Sequence, residues 1–130
     1  MERNSGLEGG SVRCFATLGT TLFAGTAGGV FKSIDNGVTW SASSNGMTWP
    51  NVYSLAVVGS DVFAGTQLGV FRSSDNGVSW TEPSKEFATG VDKMVAVGDY
   101  LFAMAVKDGD FGPYGLYRSA NRGLTWSKID

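Results

Sequence analysis

An all-β fold built from three similar four-stranded antiparallel units is what the sequence predicts, and three observations predict it. A stretch of about forty residues recurs three times, each recurrence divides into four short apolar runs, and the 130-residue chain carries 19 glycines, about twice the usual share. Residues 12–40, VRCFATLGTTLFAGTAGGVFKSIDNGVTW, align without a gap on residues 52–80, VYSLAVVGSDVFAGTQLGVFRSSDNGVSW. A third copy begins at Val91 and passes through Val97-Gly98, Leu101-Phe102-Ala103, Gly115-Leu116-Tyr117 and Leu124-Thr125-Trp126. A repeat of that period marks a stacked architecture in which each unit buries its faces on its neighbours.

In the second copy the four runs are residues 53–58, 61–66, 69–73 and 78–82, separated by Gly-Ser-Asp, Gln-Leu and Asp-Asn-Gly. They are rich in Val, Phe and Tyr, and their lengths suit strands and are too short for helices. Strict alternation breaks at Leu55-Ala56-Val57-Val58, the pattern of a sheet buried on both faces. Four antiparallel strands per unit and a two-sided apolar pattern predict the blades of a β-propeller. A sandwich or open barrel has no reason to repeat at this period. The organisation predicted is a glycine-rich N-terminal segment (1–11), blade one (12–51), blade two (52–90) and blade three (91–130).

The turn before the fourth run carries the sharpest signal. It reads Ser33-Ile34-Asp35-Asn36-Gly37-Val38-Thr39-Trp40, then Ser73-Ser74-Asp75-Asn76-Gly77-Val78-Ser79-Trp80, then Ser119-Ala120-Asn121-Arg122-Gly123-Leu124-Thr125-Trp126. An Asp here is expected to accept hydrogen bonds from amides one to three residues on, while the Gly takes a positive φ. The neighbouring hydroxyl adds a local hydrogen bond, and the Trp is expected to anchor the hairpin against its own blade core. The motif therefore reads as a fold staple. It lacks the alternating carboxylates and closing Glu of a calcium loop, and Asn121 weakens a metal reading further, so no metal and no cofactor is expected.

The pattern resembles the Asp-box, or bacterial neuraminidase repeat, S-x-D-x-G-x-T-W, in three copies in register. The resemblance implies a propeller, and its members include sialidases, plant-polysaccharide hydrolases, photosystem assembly factors and sortilin-type receptors. A sialidase-like site needs an arginine cluster, a Tyr-Glu nucleophilic pair and an acidic proton donor. Here Lys32, Arg72 and Arg118 occupy one repeated position beside the box Ser, which fits a strand-surface feature better than a catalytic set. The chain has no His, which removes Ser-His-Asp and Cys-His nucleophiles and His-ligated metals. Asp108 and Asp110 supply two carboxylates, but two acids two apart on one loop do not fix the separation that glycoside hydrolysis requires. The expectation is a non-catalytic binding module for a protein or peptide. A lectin-like module for glycans and a glycoside hydrolase, or a fragment of one, are the alternatives.

Meander geometry puts the turns after strands one and three on one rim, with the Asp-boxes, and the remaining connections on the other. The copies diverge on that second rim. Its connections hold Asn45-Gly46-Met47-Thr48-Trp49-Pro50 and Pro83-Ser84-Lys85-Glu86-Phe87, and in the third copy a short link becomes residues 107–114, an insertion carrying two carboxylates and two aromatics. Insertions in repeat proteins collect on binding faces, which makes Trp49, Asp108, Asp110, Phe111 and Tyr114 the candidate ligand residues.

Ten basic residues against twelve acidic ones, a net charge of -2, leave no electrostatic footprint for nucleic acid. No apolar stretch is long enough for a membrane span. Cys14 has no partner for a disulfide and reads as a small apolar strand residue. The resemblance implies a secreted or periplasmic protein, whereas residues 1–11 do not read as a signal peptide. Three blades do not close a ring, since propellers have typically 4–8. Two chains supply six, so the expected partner is a second copy, in a two-fold dimer with blade one of each chain on blade three of the other. The chain opens on a first strand and ends on a fourth, so its blades are expected to be whole. The competing expectation is a piece of a longer propeller, which the glycine-rich start allows.

Overall fold

The computed structural model describes residues 11–47, 51–67, 69–81, 90–105 and 115–129. The described residues form three antiparallel meanders. Blade one is β1 (Val12–Leu18), β2 (Thr21–Thr26), β3 (Gly29–Ser33) and β4 (Ser41–Ala42). Blade two is β5 (Val52–Val58), β6 (Asp61–Thr66) and β7 (Gly69–Ser73), and blade three is β8 (Val91–Val97), β9 (Tyr100–Ala105), β10 (Gly115–Ser119) and β11 (Ser127–Lys128). β1 packs on β5 and β5 on β8, so the first strands converge and the later strands fan outward, as propeller blades do.

Burial follows position in the stack. All six residues of β6 are buried, because blade two has a neighbour on each face. β1 alternates between half-buried and exposed positions, and β8 leaves Lys93, Val95 and Val97 exposed, because the outer blades are covered on one face only. Two apolar joints result. Phe23, Val30, Cys14, Ala16 and Leu18 of blade one meet Leu55, Val62, Ala64, Phe71 and Trp80 of blade two. Ala56, Val58, Phe63 and Val70 of blade two meet Met94, Leu101, Ala103 and Trp126 of blade three.

The repeated Ser-x-Asp/Asn-x-Gly turn is a side-chain network that the motif only partly foretells. Ser33 Oγ accepts from the amides of Asp35 (3.3 Å) and Gly37 (2.8 Å) and donates to Asp35 Oδ1 (2.7 Å). Asp35 in turn accepts from Thr39, through the amide at 2.9 Å and the hydroxyl at 2.6 Å. The carboxylate thus reaches four residues on rather than one to three, because Ser33 already holds the nearer amides. Ser73, Asp75 and Ser79 repeat this. Asn121 does so with its amide, accepting from the Thr125 amide and donating to its hydroxyl.

That network shortens the fourth strand. The strand expected from Val78 does not begin there: Val78 lies in the turn, 59% exposed, and among the described residues ladder pairing resumes only after the Trp, at the bridge between Arg72 and Thr81. β4 and β11 are likewise two residues each.

The Trp also points elsewhere than expected. Trp80 is buried against blade one, and its Nε1 donates to the Ser43 carbonyl at 2.6 Å. It anchors its blade to the preceding one. The box Gly completes the contact. Gly77 has φ +83°, and a Cβ on it would lie 2.5 Å from Ser43 Oγ and 2.7 Å from a carbon of the Phe23 ring, while a Cβ on Gly123 would lie 2.9 Å from the Phe63 ring. Polar bonds rim the joint: Ser43 Oγ to the Gly77 carbonyl (2.6 Å), Asn76 Nδ2 to Thr21 Oγ (3.3 Å) and Lys32 Nζ to the Asn76 carbonyl (3.2 Å). At the second joint, Asp61 is buried and pairs with Arg72 at 3.1 Å and Arg122 at 3.8 Å. Of the repeated basic position, Lys32 crosses a joint, whereas Arg72 pairs with Asp61 inside its own blade and Arg118 lies over the Tyr100 ring of its own.

Two predictions follow from these contacts. Gly77→Ala meets both a left-handed backbone and the Phe23 ring, and is expected to cost about 2–4 kcal/mol. Gly19→Ala meets the same backbone strain with nothing within 4 Å, and is expected to cost about 1 kcal/mol. Urea melts of both variants check the difference, and equal costs would count against the joint contact. The second prediction concerns acid. Thr39 and Ser33 hold the Asp35 carboxyl at about 2, and Ser79 and Ser73 do the same for Asp75. The folded values lie below the unfolded 3.8, so this stability is complete above about pH 4 and is lost as pH falls towards 2. Asp35→Asn with Asp75→Asn should flatten the fall in melting temperature between pH 5 and pH 2.5. An unchanged slope would place its origin elsewhere.

Candidate functional site

The two rims separate as meander geometry requires. Gly59, in the turn after β5, lies beside the guanidinium of Arg122 in the third repeated turn, so the first turns and the repeated turns after the third strands share a rim. On the opposite rim lie the starts of β1, β5 and β8 and the β2–β3 links, since Val12 pairs with Thr26 and Val52 with Thr66.

On that second rim each innermost strand carries a β-bulge. The register shifts between Val12 and Cys14, between Val52 and Ser54, and between Val91 and Lys93, leaving Arg13, Tyr53 and Asp92 as the extra residues. A bulge re-aims a side chain out of the ladder, and bulges concentrate beside functional sites. The backbone feature repeats in every blade while the residue type changes from cation to aromatic to acid. The position is fixed and its chemistry varies, unlike the repeated turn, whose residues recur from blade to blade.

Two of the three are already organised. The Arg13 guanidinium stacks 5.0 Å over the Tyr53 ring, a cation–π arrangement. Its Nη1 donates to Asn51 Oδ1 and, at 3.5 Å, to the Val52 carbonyl, while Asn51 Nδ2 donates to the Tyr53 hydroxyl at 3.4 Å. A cation, an amide and a phenol thus form one connected platform, with Arg13 exposed to solvent. It offers donors for carboxylates and carbonyls and a flat aromatic edge.

The link between β2 and β3 shows how the insertion is accommodated. Thr26 Oγ accepts from the Gly28 amide and donates to the Gly29 carbonyl, and Thr66 likewise donates to Gly69, closing tight turns. In blade three the equivalent position is Ala105, which pairs with Gly115. The hydroxyl that would clamp a short turn is missing where residues 107–114 are inserted. That insertion therefore leaves and re-enters the sheet on the same rim as Arg13 and Tyr53.

The five ligand residues named from the sequence, Trp49, Asp108, Asp110, Phe111 and Tyr114, lie outside the described residues. Arg13, Tyr53, Asn51 and Asp92 were not singled out from sequence. The available signal was non-repetition at one repeat position, Arg13/Tyr53/Asp92, inside strands otherwise alike. Cys14 faces blade two, with its thiol 4.0 Å from the Gly25 carbonyl, and burial pushes its pKa up to about 11.

No family model matches the chain, and neither does any curated protein. Solved β-propeller structures do. The chain is similar to YCF48 bound to a D1 peptide, with a TM-score of 0.74 and 13% identity over 95% of this chain and 42% of that one. It is similar to the computationally designed Ika4 protein, with a TM-score of 0.70 and 13% identity over 100% of this chain and 78% of that one. It is also similar to an ancestral GH74 enzyme, with a TM-score of 0.61 and 20% identity over 92% of this chain and 20% of that one. These likenesses show the fold: the chain forms blades of a β-propeller, and it spans less than half the length of YCF48. Such a partial propeller calls for completion by further blades or by a partner.

The Cys14 thiol is expected to react with Ellman's reagent at neutral pH about two to three orders of magnitude more slowly in the folded chain than in urea. Similar rates would contradict its placement in the joint.

Proposed function

We propose that the chain is a non-catalytic propeller module that binds a peptide segment across the second rim, at the mouth of the channel bounded by β1, β5 and β8. The observation that carries this reading is the bulge in each innermost strand, which brings Arg13, Tyr53 and Asp92 to one level. An extended peptide offers what that set recognises: carbonyls and carboxylates for Arg13, an apolar side chain for the Tyr53 ring, and amides for Asp92. Trp49 and the inserted residues Asp108, Asp110, Phe111 and Tyr114 belong to connections of the same rim and are proposed to flank the peptide. The likeness to a propeller solved with a bound peptide supports this reading. The motif of each blade is read as an Asp-box, with Ser33, Asp35, Gly37, Thr39 and Trp40 and their counterparts as fold staples. The ring is proposed to be completed by a second copy of the chain, giving six blades.

A glycan-binding module is the second reading, favoured by the likeness to a GH74 enzyme and by the aromatic and acidic residues of the insertion.

Panning a peptide display library against the protein is expected to enrich sequences whose affinity falls at least about tenfold in Tyr53→Ala and Arg13→Ala, with the melting temperature unchanged. The same protein on a glycan array is expected to stay silent. Enrichment of no peptide, together with a saccharide that shifts tryptophan fluorescence, would replace the peptide reading with the lectin one. Turnover of an aryl glycoside that is lost in Asp108→Asn or Asp110→Asn would overturn both.

A further inference from the structure

The outer faces of blades one and three are the two halves of a joint that the chain already builds twice. In the first joint, Phe23 lies under Gly77, Trp80 donates to the Ser43 carbonyl, and Lys32 donates to the Asn76 carbonyl. In the second, Phe63 lies under Gly123, and Trp126 is buried in the cluster around it. Each joint thus takes a Phe from one blade and an Asp-box Gly and Trp from the next, with a cation across it, Lys32 on the Asn76 carbonyl in the first and Arg122 on Asp61 in the second.

Blade three presents the first half to solvent. Phe102 pairs with Arg118 in the register in which Phe23 pairs with Lys32 and Phe63 with Arg72. Val95 and Val97, at the positions of the buried Ala56 and Val58, are 57% and 55% exposed. The Ile129 amide donates to the Leu116 carbonyl at 2.9 Å, as the Ser43 amide donates to that of Val30 at 2.7 Å, so the Ile129 carbonyl stands where the Ser43 carbonyl stands. Blade one presents the other half. Phe15 is 58% exposed, and its ring is 6.4 Å from that of Trp40. A side chain on Gly37 would meet nothing nearer than 3.8 Å, where its counterparts meet the preceding blade's Phe.

We propose that two copies join through this third, intermolecular joint, made twice about a two-fold axis. Gly37 of one copy covers the Phe102 ring of the other, the Trp40 indole packs beside it and turns its Nε1 from the Gly37 carbonyl, to which it donates at 3.2 Å within the chain, to the Ile129 carbonyl, and Arg118 takes the Asn36 carbonyl. This rests on the reading that a second copy completes the ring, and adds the residues that make the closure. The occupant is a second copy because the two faces complement each other, half for half, as the two joints within the chain do. One position departs from the template: Met104 replaces Gly25 and Gly65, which leave room for Val52 and Val91. Methionine is the side chain best able to repack there, and the joint is anchored at the Asp-box end.

The test is native mass spectrometry of the full chain at micromolar concentration. A dimer of about 27 kDa, twice 13.7 kDa, is expected for the unmodified protein. Trp40→Ala, Phe102→Ala and Val95→Lys are each expected to weaken it at least about a hundredfold. Val95 is exposed in the single chain, so that variant keeps the test independent of folding. An equimolar mixture of Trp40→Ala and Phe102→Ala is expected to regain dimer, because the mixed pair retains one intact joint while each variant alone has none. A monomeric unmodified chain would overturn both the ring reading and this joint. An unmodified dimer that Val95→Lys leaves intact would overturn the joint alone.

Discussion

The structure depends on one contact, the glycine of the repeated Ser-x-Asp/Asn-x-Gly turn seated on the phenylalanine ring of the preceding blade. It requires a backbone of positive φ and the absence of a side chain at the same residue, 2.7 Å from the Phe23 ring at Gly77 and 2.9 Å from Phe63 at Gly123. The hydrogen bonds within the box serve that placement. Ser73 and Asp75 hold the turn so that Gly77 meets the ring and Trp80 reaches the Ser43 carbonyl. A motif that reads as a local turn is in this fold a device for stacking sheets.

This explains the graded burial across the stack. A blade with a neighbour on each side has both faces dry, and the outer blades keep apolar residues at positions that are buried in blade two. Phe15, Val95 and Val97 are each more than half exposed. Exposed apolar faces of this kind on a single chain signal an interface, and here each open face matches half of a joint already present. The same stacking brings the innermost strands together, which sets Arg13 over Tyr53 on the second rim, with Asp92 at the matching bulge of the third blade.

Much of this was legible in the sequence, and the parts that were not have physical reasons. The all-β class, the repeated antiparallel meander and the hairpins at Gly19, Gly59 and Gly98 follow from the repeat and turn chemistry. The direction of Trp80 did not, because burial on its own blade and burial on the neighbour leave the same apolar signature. The fourth strand was misjudged at Val78, since β-branched residues beside an apolar run read as strand while the Asp75 carboxylate already engages the Ser79 amide. The bulges at Arg13, Tyr53 and Asp92 were invisible because one extra residue at the start of a strand leaves the apolar pattern intact. The candidate site named from sequence rested on loop divergence, whereas the platform in the structure comes from strand residues.

A double-mutant cycle across the first joint tests the central claim most directly. Unfolding free energies are measured for Gly77→Ala, Phe23→Leu and the pair. If the glycine exists to seat the ring, Gly77→Ala costs at least about 1 kcal/mol less in the Phe23→Leu background than alone. Additive costs would show that the Phe23 ring is not what excludes a side chain at Gly77, and would contradict the account.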